Sequence, residues 1–211
     1  MKLKMIKYGY EKFVLPKVLN CCCSTKPINY QRKKIVPSAS GTVLEIGIGS
    51  GLNIPFYQKS NIDKLYGLDP SSELCEMAKK NAFNHNFNID FLISGAEEIE
   101  LASKSIDTVL LTYTLCTIPC PKSALKEIKR VLKSDGKILF CEHGTAPDKK
   151  IKIWQNRINP IWSKLFGGCN INRDIPNIFL ESDFKINQLD QMYLPSTPKI
   201  VGYNYWGTAS I

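Results

Sequence analysis

The segment Val43-Leu-Glu-Ile-Gly-Ile-Gly-Ser-Gly-Leu-Asn53 constrains this chain more than any other. An apolar run that reads as a buried strand, Thr42–Ile46, leads straight into glycines at 47, 49 and 51. Glycines in that position let the backbone turn sharply and approach a ligand without Cβ clashes. A dinucleotide fingerprint, G-x-G-x-x-G, would need its third glycine at 52, where this chain has Leu52. The pattern is instead E-x-G-x-G-x-G, with Glu45 two residues before Gly47.

Downstream, strand-like and helix-like segments alternate. Lys64–Leu68, Ile89–Ile93, Ile106–Thr112 and Lys137–Glu142 read as strands. Ser71 is placed to N-cap a helix, and a second helix is expected over Lys122–Leu132, ended by Ser134-Asp135-Gly136. Residues 150–183 read as helical with breaks at Pro160, Gly167-Gly168 and Pro176. Phe184–Tyr193 and Ile200–Trp206 read as final strands. Strands separated by helices predict a doubly wound, mostly parallel α/β sheet with helices on both faces. Residues 41–211 are expected to form that one domain.

Residues 1–40 differ in composition. They hold nine Lys/Arg and one acid, a net +8 of the chain's +9. Leu3, Ile6, Tyr10, Phe13 and Val14 fall at helical spacing over 3–15, so this stretch is expected to be a basic helical arm that Pro16 ends. Such an arm either meets an anionic surface, with residues 1–20 touching a membrane peripherally, or caps the fold. No apolar run reaches the roughly 18 residues of a spanning helix, and the first 20 residues lack a continuous apolar region typical of a secretory signal. A cytoplasmic protein is expected. The eight cysteines show no paired C-x-x-C spacing, so reduced thiols and no metal site are expected.

Asp69 closes the second strand about 20 residues after the glycine loop, where a carboxylate accepts ribose hydroxyls. Ser94-Gly-Ala-Glu97 follows the third strand, and Ser105-Ile-Asp107-Thr-Val opens the fourth. Taken in order, these four segments resemble the cofactor motifs of class I methyltransferases. From about residue 8 to 207 the chain resembles a bacterial branch of that family, related to the methyltransferase-like 7 proteins of animals, which are similar to thiol S-methyltransferases. Val43–Tyr57, Thr112-Tyr-Thr-Leu-Cys-Thr-Ile118, Phe140-Cys-Glu-His-Gly144, Trp154-Gln155, Asn159-Pro160 and Gly167-Gly-Cys-Asn-Ile-Asn-Arg173 carry the likeness.

The resemblance implies a Rossmann-like seven-stranded sheet with the last strand antiparallel, and S-adenosylmethionine as methyl donor. It implies cofactor contacts from Glu45, Gly47, Gly49, Gly51, Asn53, Asp69, Ala96, Glu97 and Thr112. The acceptor is expected to be a small molecule, foremost a thiol; an amine lipid or a quinone-type carbon are the alternatives. Ligands of open α/β sheets sit at the C-terminal strand ends, so Tyr113, Glu142, His143 and Arg173 are the acceptor-side candidates. His143 is the expected base that deprotonates a thiol. Arg173 is expected either to bind an anionic acceptor or to pair with Asp174 or Glu142. Glu142 should point away from His143 across the sheet. Nucleic-acid substrates are not expected: Thr112-Tyr-Thr-Leu stands where exocyclic-amine enzymes carry [DNS]-P-P-[YFW]. A binding module retaining only the cofactor fold is the non-enzymatic alternative.

Overall fold

The structure, a computed structural model, describes residues 9–211. Seven strands form one sheet in the order β3-β2-β1-β4-β5-β7-β6. These are β1 Gly41–Ile46, β2 Ile62–Leu68, β3 Asp90–Leu92, β4 Ile106–Thr112, β5 Leu132–His143, β6 Lys185–Tyr193 and β7 Tyr203–Ser210. The first five pair in parallel, and β7 runs antiparallel to both β5 and β6. The order reverses between β1 and β4, so a crevice opens beyond their C-terminal ends.

Both faces of the sheet are covered, as the continuously apolar central strands require. Val109, Leu111, Ile138 and Phe140 pack with Leu125 and Ile128 of helix α4 (Pro121–Val131) and with Phe179 of α6 (Ile175–Leu180). Val43, Leu110, Leu139 and Cys141 point the other way, toward Ala78 and Ala82 of α3 (Ser72–Asn84) and toward Ile35 of the arm. Ser71 caps α3, its Oγ accepting the Leu74 N–H at 3.2 Å.

Several boundaries differ from the sequence reading, each for a local reason. Pro16 starts helix α1 (Leu15–Cys23) rather than ending one, because a proline in the first turn loses no hydrogen bond. A single widened helical turn, Tyr10–Val14, precedes it; Leu3 and Ile6 of the expected helix lie outside the described residues. A second arm helix, α2, spans Lys26–Ile35. Strand β5 begins at Leu132, which pairs with Ile106 before the register jumps to Lys137 opposite Thr108. Ser134-Asp135-Gly136 therefore forms an excursion within the strand, not a separate helix stop. Pro160 does not break helix α5 (Lys149–Leu165). Pro160 and Asn156 both lie on its exposed face, so the carbonyl left without an N–H partner meets water. Pro176 likewise starts α6. The expected last strand is split, with Lys199–Gly202 a short helix, α7, ahead of β7. Among the described residues no helix is long and apolar enough to cross a membrane.

Candidate active site

The crevice at the reversal point holds a cavity of about 440 Å³. Its floor is the 47–50 loop, with Asp69, Ala96, Glu97 and Thr112–Thr114 around it. Its other wall is the arm: Leu15, Pro16, Leu19, Asn20 and Cys23 of α1, and Arg32 of α2. The described part of the arm thus closes over the site, and Asn20 holds Ser50 of the loop at 2.6 Å.

The three glycines serve three separate ends. Gly47 has φ +69°, and a Cβ there would stand 2.0 Å from Thr114 Oγ1. Its N–H and that of Ile48 both donate to the Leu68 carbonyl, closing the turn. Gly49, at φ +55°, would carry a Cβ whose nearest neighbour is the Gly47 carbonyl oxygen at 3.8 Å, so its face is open to the cavity. Gly51 is off the cavity wall and packs against Ile54 and Ala78.

Asp69 lines the cavity and is 6% exposed. One carboxylate oxygen accepts the Gly49 N–H at 3.0 Å and the other the Ser71 N–H at 2.9 Å. Burial raises its pKa, and these two bonds oppose the rise. Each oxygen retains a further lone pair for a ligand hydroxyl. Ala96 lines the cavity too; Glu97 does so while its Oε1 accepts the Cys120 N–H at 3.1 Å.

Glu45 and Asn53, expected from the motif to touch cofactor, stand behind the wall instead. Glu45 is 1% exposed. Its oxygens accept the Asn53 amide at 2.8 Å and the Tyr57 hydroxyl at 2.7 Å. Burial lifts its carboxyl to about 7, against the opposing effect of those bonds. The same Asn53 amide donates to Thr112 Oγ1 at 2.7 Å. Arg32 Nη1 completes the network, 2.6 Å from Asn53 Oδ1 and 3.0 Å from Thr112 Oγ1. Arg32 is 4% exposed, lies over the Tyr113 ring with Cζ 5.3 Å from its centroid, and keeps Nε buried without a partner. In the sequence it is one of nine basic arm residues, and nothing local distinguishes it. Only the docking of α2 reveals it as a cavity residue.

On the acceptor side only Tyr113 reaches the wall. Its φ of +54° turns the chain out of β4, and its hydroxyl donates to Asn204 Oδ1 at 2.6 Å. Glu142 is wholly buried; Oε1 accepts the Thr114 and Leu115 N–H groups at 2.8 and 2.9 Å. Burial lifts it to about 7, and it fastens the turn after β4. His143 lies off the cavity wall, Nε2 facing Cys169 Sγ at 3.2 Å and Nδ1 buried without a partner. Arg173 donates to the Leu115 carbonyl; it makes no ion pair with Asp174, whose carboxylate caps α6 through the Asn177 N–H at 3.2 Å. The expectation of no metal constellation meets a cluster that sequence spacing does not display: Cys116, His143 and Cys169 place one donor atom each within 4.8 Å of one another. The remaining thiols are free, with Cys75 and Cys141 buried, Cys23 partly exposed, and Cys21, Cys22 and Cys120 exposed.

A family model described as a methyltransferase domain matches residues 44–140. The rat thiol S-methyltransferase TMT1B is 31% identical over 170 residues, covering 76% of this chain and 69% of that protein. Human thiol S-methyltransferase TMT1A is 28% identical, over 82% of this chain and 72% of its own. A solved SAM-dependent methyltransferase from Leishmania major shares the fold at 14% identity and TM-score 0.69, covering 97% of this chain and 81% of that one. The chain belongs to the class I S-adenosylmethionine-dependent methyltransferases, in the branch related to the thiol methyltransferases. It is an enzyme, and its methyl donor is S-adenosylmethionine.

Three features of the cavity fit that molecule. Gly49 leaves room for close approach, Asp69 offers carboxylate lone pairs, and Arg32 puts a buried cation on the wall.

Proposed function

We propose that this chain methylates the sulfur of a small thiol. The observation that carries the reading is the likeness to thiol S-methyltransferases across three quarters of the chain. The site supports it. S-adenosylmethionine supplies an electrophilic methyl on a sulfonium. In this reading Asp69 accepts the ribose hydroxyls, the 47–49 backbone lies against the amino-acid portion, and Arg32 takes its carboxylate. The apolar α1 residues exclude water, and Tyr113 shapes the wall where the acceptor enters. Alignment is then the main task left to the protein.

With His143 facing Cys169, no imidazole lines the cavity among the described residues. A thiol tolerates this better than an amine, because a pKa of roughly 8.5 leaves a few per cent thiolate at neutral pH. The base role anticipated for His143 is therefore not part of this reading.

The test is methyl transfer from labelled S-adenosylmethionine to alkyl thiols of differing acidity, measured against pH. Turnover is expected to rise with pH and to level off near each thiol's own pKa. A plateau at one pH for every thiol would reveal an enzymic base. Inertness toward all thiols, with turnover on phosphatidylethanolamine or a quinol, would overturn the acceptor assignment.

A further inference from the structure

The sequence segments Trp154-Gln155, Asn159-Pro160 and Gly167–Arg173 are absorbed neither by cofactor binding nor by the core of the sheet. In the structure Gln155, Asn159 and Asn170 of these segments form a clamp around one loop. Gln155 is fully buried, and its amide nitrogen faces the carbonyls of Gly144, Ile171 and Ile200 at 2.9–3.0 Å. Asn159 accepts the Ile171 N–H at 2.9 Å and donates to Asn170 Oδ1 at 2.9 Å. Asn170 donates from both backbone and side chain to the Cys116 carbonyl, at 2.9 and 3.1 Å. Gly167 and Gly168, at φ +60° and +88°, turn the chain back so that Cys169 follows α5 into the interior. So much polar bonding holds the Cys169 loop onto the Cys116 turn that the geometry there is overdetermined.

What it positions is a set of three soft donors. Cys116 comes from the turn after β4, His143 from the end of β5, and Cys169 from the loop after α5. We infer that Cys116 Sγ, His143 Nε2 and Cys169 Sγ form a zinc site with three protein ligands. Tetrahedral zinc with bonds of about 2.3 Å to sulfur and about 2.0 Å to nitrogen sets its ligands about 3.8 Å (S to S) and about 3.6 Å (S to N) apart. Here Cys169 Sγ is 3.9 Å from Cys116 Sγ and 3.2 Å from His143 Nε2. The sulfurs are far beyond the roughly 2.05 Å of a disulfide. The donor set, two thiols and an imidazole, is the chemistry that selects zinc over hard cations.

Charge supports the assignment. Trp162, Phe166 and Ile171 pack around the thiols, with the Glu142 carboxyl and the Arg173 guanidinium, of opposite charge, both held on the adjacent Leu115; an unbalanced charge in such surroundings is expensive. Zinc with two thiolates and a neutral imidazole sums to zero. Binding releases the two thiol protons to solvent, so no oxidant or reductant is required.

The test uses the full chain, reduced with a phosphine and freed of metal by a chelator. Titration with zinc alone is expected to reach one ion per chain and to raise the melting temperature, since only the folded chain assembles the site. Cobalt in place of zinc is expected to give the intense visible bands of a tetrahedral thiolate site. Cys169→Ser and His143→Asn should each weaken zinc by at least about 100-fold. Cys120→Ser, at an exposed thiol outside the cluster, should leave it unchanged. A folded wild-type chain that shows neither cobalt bands nor a zinc-dependent melting shift overturns the inference. So do bands that survive in both variants, which would move the metal to the arm cysteines.

Discussion

Replacing Glu45 by glutamine should flatten the pH dependence of stability. Glu45 is buried, and its carboxyl rises from 4.5 to about 7 because desolvation outweighs the Tyr57 and Asn53 hydrogen bonds. A carboxyl raised on folding binds its proton more tightly in the folded chain. Its contribution is fully present below pH 4.5 and is lost as pH rises through 7. At pH 8 the loss amounts to about 3 kcal/mol, of which about 2.5 kcal/mol falls between pH 5 and 8. The variant's amide remains neutral throughout. It can still accept from Asn53, while Tyr57 loses its carboxylate partner, an offset of about 1 kcal/mol that is the same at every pH. Urea unfolding at pH 5, 6, 7 and 8 reads the effect. Groups present in both proteins, including Glu142, cancel in the difference. The gap between variant and wild-type midpoints should shift in the variant's favour by about 1 M urea from pH 5 to pH 8. Parallel pH profiles for the two proteins would refute the reasoning and mean that Glu45 is ionised at no cost.

The other predictions concern the cavity. Asp69→Ala should weaken S-adenosylmethionine by about 2–4 kcal/mol in calorimetry while the fold persists, and unchanged affinity would move the ribose partner elsewhere. Arg32→Met should weaken S-adenosylmethionine at least about tenfold yet spare 5′-methylthioadenosine, which lacks the carboxylate; equal losses would place Arg32 away from that group. Gly47→Ala, which puts a Cβ against Thr114 at positive φ, should destabilise the fold by about 2–4 kcal/mol. Gly49→Ala should cost only about 1 kcal/mol of stability, the penalty of a left-handed residue, while its methyl group obstructs the cofactor; thermal melts and calorimetry on the pair separate the two effects.

What the sequence by itself determined is whatever rests on short-range rules. Periodicity and glycine spacing located the strands that build the sheet, because a buried parallel strand must be apolar and a tight turn must be glycine. Ser71 was legible as a cap, since capping needs only the three residues that follow. Asp69 was legible because it ends a strand beside the loop it serves. Tertiary structure decided the rest. Glu45 and Asn53 lie next to the glycine loop in sequence, yet they face inward to Tyr57 and Thr112 and act on the cavity at one remove. Arg32 enters the site because α2 packs beside β5 and β7 and its side chain reaches Thr112 at the end of β4, a contact between positions 80 residues apart. His143 had the right position along its strand for a base. The residue that occupies its ring nitrogen, Cys169, lies 26 positions away in a loop held by Gln155 and Asn159. Local pattern states which way a residue points along its own element. Which group it meets is set by how separate elements pack, and no spacing rule within one segment encodes that.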